Sequence, residues 1–220
     1  MTEVDIDSMN TTKIWLKNYP EGIPAEIDSL GFEDLKDFLD KTLIHGGDRT
    51  AFISMDKKLS YKMLDAYSRD FGAYLHSIGL KSGDKIALMM PNIFQYPIAL
   101  FGAVRAGIIV VNTNPLYTPR EMKLQFQDSG VKAIVIADNF AANLQEIIKE
   151  TKIEHVVLTS IGEMLGAKGV IVNLVIKYIK KLVPTFQLTN TISFSKALKL
   201  GEGKELPEFK SNLDDTVILQ

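Results

Sequence analysis

Residues 83–121 read GDKIALMM-PNIFQYPIALFGAVRAG-IIVVNTNPLYTPRE, and the three pieces differ in period. After Lys85 the first piece is an apolar run to residue 90, the pattern of a strand buried on both faces of a parallel sheet. Residues 93–106 carry apolar side chains at helical spacing and stop at Gly107; Pro91-Asn92 before them reads as a ligand position at the carboxyl edge of the sheet or as a turn with Asn92 capping the helix start. Residues 108–112 are a second buried strand. Thr118 then stands before Pro119, with Glu121 three positions on, which predicts a capping box and a helix over 119–128. Strand, helix, strand, helix in under fifty residues is the grammar of a right-handed parallel crossover.

The same grammar continues outward. Residues 133–137 and 155–159 read as two more buried strands around a helix at 140–150, and strand starts recur every 22–25 residues. Upstream, 33–44 is a helix, 50–54 and 58–60 form a hairpin, and Ser60 caps an amphipathic helix over 61–78 that Gly79 ends. The expected fold is α/β: a doubly wound, mainly parallel sheet with helices on both faces, plus an N-terminal hairpin. Ala87, Met89, Ile109, Val111, Ile134, Ile136, Val156 and Leu158 should be its buried residues.

Past residue 160 the pattern changes. Residues 167–183 read as a basic amphipathic helix, 185–191 as a loop, 193–200 as a short helix and 201–212 as a charged linker; a new strand begins at Thr216. The expected organisation is an extension over 1–32, an α/β subdomain over 33–160, a helical and linker segment over 161–212, and the opening of a further strand over 213–220. A chain that stops in a fresh strand is expected to be truncated.

Composition narrows the function classes. The 220 residues hold 25 Lys+Arg against 27 Asp+Glu and no Cys, which excludes disulfides, thiolate metal sites and cysteine nucleophiles. A net charge of −2 argues against general nucleic-acid binding. Charge is uneven, however: −7 over residues 1–40 and +5 over 161–200. The N-terminus has no basic or apolar targeting pattern, and no apolar run is long enough to span a bilayer. The sequence contains neither G-x-x-x-x-G-K-[ST], G-x-G-x-x-G nor G-x-S-x-G, and its three His are scattered. Gly46-Gly47 and Gly201-Glu-Gly203 read as turns.

Three places carry weaker signals. Arg105, near the end of its helix, is expected to pack its stem on that helix and bond the last carbonyls. The loop 112–118 follows a buried strand and leads into a helix N-terminus, so it reads as a ligand loop or as a capped helix start with Tyr117 packing inward. In the 168–183 helix, Asn173, Lys177, Lys180 and Lys181 share one face, opposite Ile171, Leu174, Val175, Tyr178, Ile179 and Leu182. That fits an interfacial helix or an ordinary core-facing one with solvated lysines. Lys168, Lys177, Lys180 and Lys181 are the expected contacts to an anionic membrane.

The string GD, strand, PN, helix, RAG, VV, NP, YTPRE across 83–121 resembles the N-terminal core of adenylate-forming enzymes: acyl-CoA synthetases, luciferases and peptide-synthetase adenylation domains. WLKNYP at 15–20, residues 175–184 and Ile192-Ser193-Phe194 are similar to bacterial long-chain fatty-acid–CoA ligases, and the resemblance runs from about Lys13 onward. It implies a parent enzyme that uses ATP, Mg2+ and CoA to convert a long-chain fatty acid to an acyl-adenylate and then a thioester. It also implies a cytoplasmic place, peripheral at the inner face of the membrane, and a homodimer as one assembly. The family's phosphate loop, adenine motif and catalytic Lys follow the strand at 216–220, so the resemblance implies no catalytic residue in this chain, no activity and no tight cofactor binding by it. In the acetyl-CoA synthetase branch the loop matching Asn114, Pro115, Leu116 and Tyr117 lies against the nucleotide end of CoA. A standalone, non-catalytic binding module of the same fold is the alternative reading; an unrelated protein of flavodoxin or receiver type is the third.

Overall fold

The structure is a computed structural model that describes residues 13–26 and 31–220; half of the expected 1–32 extension lies outside the described residues. The described part of the unit Met1–Phe32 holds one short 3-10 turn, Ile14–Asn18, which covers most of the WLKNYP motif. The unit Glu33–Gln220 holds the rest.

Helix α1, Leu35–Gly46, is capped by the Asp34 side chain, which accepts the Asp37 N–H at 2.7 Å. Strands β1, Thr50–Ser54, and β2, Lys57–Ser60, form an antiparallel hairpin. Its two-residue loop, Met55-Asp56, has both residues at positive φ, the backbone that a tight hairpin turn requires. Helix α2, Tyr61–Ser77, starts at Ser60 as expected, with the Ser60 Oγ accepting the Met63 N–H.

The sheet is six-stranded and wholly parallel: β3, Lys85–Met89; β4, Ile109–Asn112; β5, Ala133–Ala137; β6, His155–Thr159; β7, Thr191–Ser193; and β8, Ile218–Leu219. Its spatial order is β7-β6-β5-β3-β4-β8. From β3 the chain goes to β4 on one side and then crosses to β5 on the other, a doubly wound arrangement. Alternation along each strand sends side chains to opposite faces. Ile86 and Leu88 meet α2, α3 (Gln95–Arg105) and α7 (Phe194–Gly201) on one face. Ala87 and Met89 meet α4 (Pro119–Ser129) and α5 (Ala141–Ile147) on the other.

Of the eight residues expected to be buried, six are; Ile109 and Leu158 remain half-buried. Both sit on strands whose outer neighbour is only two or three residues long, so less packs over that end of the sheet. Three further expectations change. Helix α3 begins at Gln95, and Asn92 is exposed and caps nothing: the position before the helix is Phe94, with no side-chain bond. The helix expected over 167–183 is an α-helix, α6, only over Ala167–Leu174, and continues as a π-helix over Val175–Ile179. Arg105 does not bond its own helix end. It is 3% exposed, ion-paired to Asp40 at 2.8 Å and Asp65 at 2.9 Å, and it donates to Ser68 Oγ at 2.8 Å. With α1, α2 and α3 this close, partners on two other helices outcompete its own carbonyls.

Candidate functional site

In open α/β sheets, ligands bind outside the carboxyl ends of the strands, near the point where strand order reverses. Here that point lies between β3 and β5, and the neighbouring ends are tied by side chains. Gln95, 1% exposed, donates from Nε2 to Thr159 Oγ1 at 2.7 Å and to the Ser160 carbonyl at 3.0 Å. Thr159 Oγ1 donates to Glu163 Oε2 at 2.7 Å, and Glu163 Oε1 accepts the Ser195 N–H at 2.8 Å. This chain of bonds locks α3 to β6 and α7.

The open space lies one strand over. A cleft of about 400 Å3 sits at the carboxyl ends of β3, β4 and β8, lined by Leu88, Met90, Asn92, Tyr96, Asn112, Thr113, Asn114, Pro115, Tyr117 and Gln220. Three of the four loop residues singled out in the sequence therefore line it. Leu116 stands at the loop tip, 84% exposed. The loop is internally braced: Asn114 Oδ1 accepts the Leu116 N–H at 3.0 Å, and the Asn114 carbonyl accepts the Tyr117 N–H at 3.0 Å. Tyr117 also packs against the apolar core between the sheet and α4 and α5.

Sequence reasoning missed Tyr96 and Gln125. Tyr96 Oη donates to Asn112 Oδ1 at 2.8 Å, and Gln125 Nε2 donates to the Asn112 carbonyl at 2.9 Å. Burial pushes the Tyr96 phenol up, against a smaller lowering by the Asn112 bond, so it remains a donor at neutral pH. The only signal in the sequence was position: Tyr96 falls in the first turn of α3, where its hydroxyl reaches Asn112 at the end of β4.

The α4 N-terminus that was expected to favour an anion is already filled. Thr118 and Glu121 form the predicted capping box: Glu121 Oε2 accepts from the Thr118 N–H at 2.8 Å and from Oγ1 at 2.7 Å. Those bonds hold the Glu121 carboxyl below its ordinary value, so a negative charge occupies the helix start. No charged side chain lines the cleft, and no group of three metal-ligating side chains occurs among the described residues. The residues present do not fit a triphosphate or Mg2+. Two exposed amides, Asn92 and Asn114, and two phenols suit a neutral, hydrogen-bonding, flat ligand instead.

The basic residues do not form a single patch. Lys168 Nζ turns to the hairpin and donates to the Met55 carbonyl at 2.8 Å and to Asp56 at 3.0 Å. Lys177 lies 5.6 Å from the Tyr178 ring centroid, while Lys180 and Lys181 are exposed.

Residues 39–184 match the family model described as AMP-binding enzyme. The chain is 45% identical over 210 residues to a long-chain-fatty-acid–CoA ligase of Salmonella typhimurium, covering 94% of this chain and 37% of that protein. It is 49% identical over 191 residues to one of Escherichia coli O6:H1, covering 86% and 34%. The chain thus spans little more than a third of the curated relatives it matches. In fold it is similar to a benzoate CoA ligase from Burkholderia xenovorans, with TM-score 0.65 at 17% identity over 84% of this chain and 32% of that one. A long-chain-fatty-acid-CoA ligase from Archaeoglobus fulgidus gives 0.63 at 16% over 86% and 36%. The sequence resemblance to bacterial long-chain ligases holds, the unrelated doubly wound reading falls away, and the chain belongs to the family of AMP-binding enzymes.

Proposed function

We propose that this chain is the α/β subdomain of an ATP-dependent long-chain fatty-acid–CoA ligase and has no adenylating activity by itself. One observation carries the reading: identity of 45–49% over 86–94% of the chain to proteins of that name. Bound ATP with Mg2+ would supply the parent's adenylating chemistry, and CoA would receive the acyl group. Both the phosphates and the metal would be held outside the residues described above. What these residues do is structural and positional. The braced turn at Asn114, Pro115, Leu116 and Tyr117 and the uncharged cleft beside it would take the adenine end of CoA, a flat group with neutral donors and acceptors. A cytoplasmic, membrane-peripheral place and a homodimer belong to the same reading. Among the described residues no helix is long and apolar enough to cross a membrane.

The test is ATP–pyrophosphate exchange with a long-chain fatty acid. The 220-residue chain should give none, and the same chain continued to the length of its relatives should give exchange. Exchange by the chain alone would overturn the claim of inactivity. A continued protein that adenylates only short or aromatic acids would overturn the substrate class. Micromolar binding of AMP to the chain alone would favour the standalone module.

A further inference from the structure

Three asparagines line the cleft, and two of them hold their amides one way round. Asn112, the last residue of β4, has its Oδ1 taken by the Tyr96 hydroxyl at 2.8 Å and its main-chain carbonyl taken by Gln125 Nε2 at 2.9 Å. Asn114 has its Oδ1 taken by the Leu116 N–H at 3.0 Å, and a main-chain N–H can only donate, so that amide is oriented too. Both NH2 groups are left over. Neither Nδ2 has a partner among the described residues. Asn92, by contrast, is exposed and has no side-chain bond among them, so its amide is free to turn.

Two fixed donors in a cleft without charged side chains select a ligand that brings acceptors. A carboxylate or phosphate would find donors but no counter-charge, with the ionised Glu121 already at the α4 start. A ring N–H, such as N1 of guanine or hypoxanthine, would set donor against donor. Adenine offers N1, N3 and N7, all acceptors, on its three edges. We propose that Asn112 and Asn114 are the specificity-determining donors of the cleft, each giving its NH2 to a ring nitrogen of adenine, and that Tyr96 is the positioning residue that keeps the Asn112 amide turned. This rests on the reading that the cleft takes the adenine end of CoA. The exocyclic amine of adenine is a donor itself, so neither asparagine reads it.

The experiment titrates the 220-residue chain with nucleosides and follows the side-chain amide resonances by NMR. Adenosine should move both the Asn112 and the Asn114 NH2 signals, and purine riboside, which lacks the amine, should move both as well. Of 1-, 3- and 7-deazaadenosine, each with one ring nitrogen replaced by C–H, two should bind roughly three- to tenfold more weakly, each silencing the shift of one amide. Asn112→Asp and Asn114→Asp keep the acceptors for Tyr96 and Leu116 but remove the NH2, and each should weaken adenosine roughly tenfold. Tyr96→Phe should narrow the gap between adenosine and the deaza analogue that silences Asn112, and leave the other gap alone; a merely structural loss would weaken every nucleoside alike. Equal binding of adenosine and all three deaza analogues overturns the proposal, and so does native affinity in both Asp variants or a purine riboside that moves neither amide. In each of those results adenosine still occupies the cleft, so the adenine reading stands. Adenosine that moves no cleft resonance at all overturns that reading and the proposal with it. The deaza series needs only the native chain, so a variant that fails to fold leaves the test intact.

Discussion

Arg105 grips Asp65 twice: Nη2 stands 2.9 Å from the Asp65 carboxylate, and Nη1 donates to the main-chain carbonyl of the same residue at 3.0 Å. A planar fork makes both contacts and still reaches Asp40 and Ser68, which an ammonium cannot do. Arg105→Met should cost about 2 kcal/mol, below the roughly 3–5 kcal/mol of a fully buried pair, because the two carboxylates keep some solvent. Arg105→Lys should recover less than half of that. Urea unfolding of the three proteins decides it; an Arg105→Lys chain as stable as the native one would show that charge alone matters.

Gly102 lets α3 lie against α2. A Cβ there would stand 2.7 Å from the Ser68 carbonyl oxygen and 3.0 Å from the Phe71 ring, and neither the backbone nor a core ring gives way easily. Gly102→Ala is expected to cost roughly 1–3 kcal/mol despite its better helix propensity. Thermal melts report the sign: stabilisation would mean that the helices separate without penalty.

Burial raises the Asp138 carboxyl at the end of β5. The Asn139 N–H and Lys177 oppose that rise, and Glu163 adds to it. A raised folded-state value means that folding favours the protonated acid. That contribution is present below the ordinary value of 3.8 and is lost as pH rises through the folded value. Asp138→Asn should therefore gain stability over the native chain at neutral pH and lose that advantage in acid. Melting temperatures of both proteins across that window measure it, and a pH-independent difference would contradict the sign.

The Tyr96 hydroxyl bond to Asn112 holds the rim of the cleft. Tyr96→Phe should lose about 1 kcal/mol, since Asn112 Oδ1 is left with no donor from that side. The Asn112 side-chain amide resonance should shift in the NMR spectrum, while resonances of Lys168 on α6 should not.

The sequence made the parallel crossovers legible because buried strands and amphipathic helices alternate cleanly from β3 to β6, and the bounds of β5 and β6 follow from the apolar runs. Thr118 and Glu121 were legible because a capping box is local chemistry. Three things were not. Strand β7 has three residues, too few to show a period. The π-helix breaks the 100° step on which the faces of 167–183 were drawn, and only tertiary bonds reveal that Asn173 faces inward. Gln95 and Arg105 are buried polar residues whose partners lie 64 and 37 positions away in sequence, beyond any local pattern.

The pairing of β8 with β4 has a kinetic consequence. Val110 pairs with Ile218, 108 positions later, whereas β3 and β4 pair Lys85 with Ile109 after only 24. Closing the longer loop costs about 1.3 kcal/mol more entropy, and only two residues, Ile218 and Leu219, offset it. β8 should therefore join the sheet last during folding and leave it first, so amide protons at 218–219 will exchange long before those of β3 and β5.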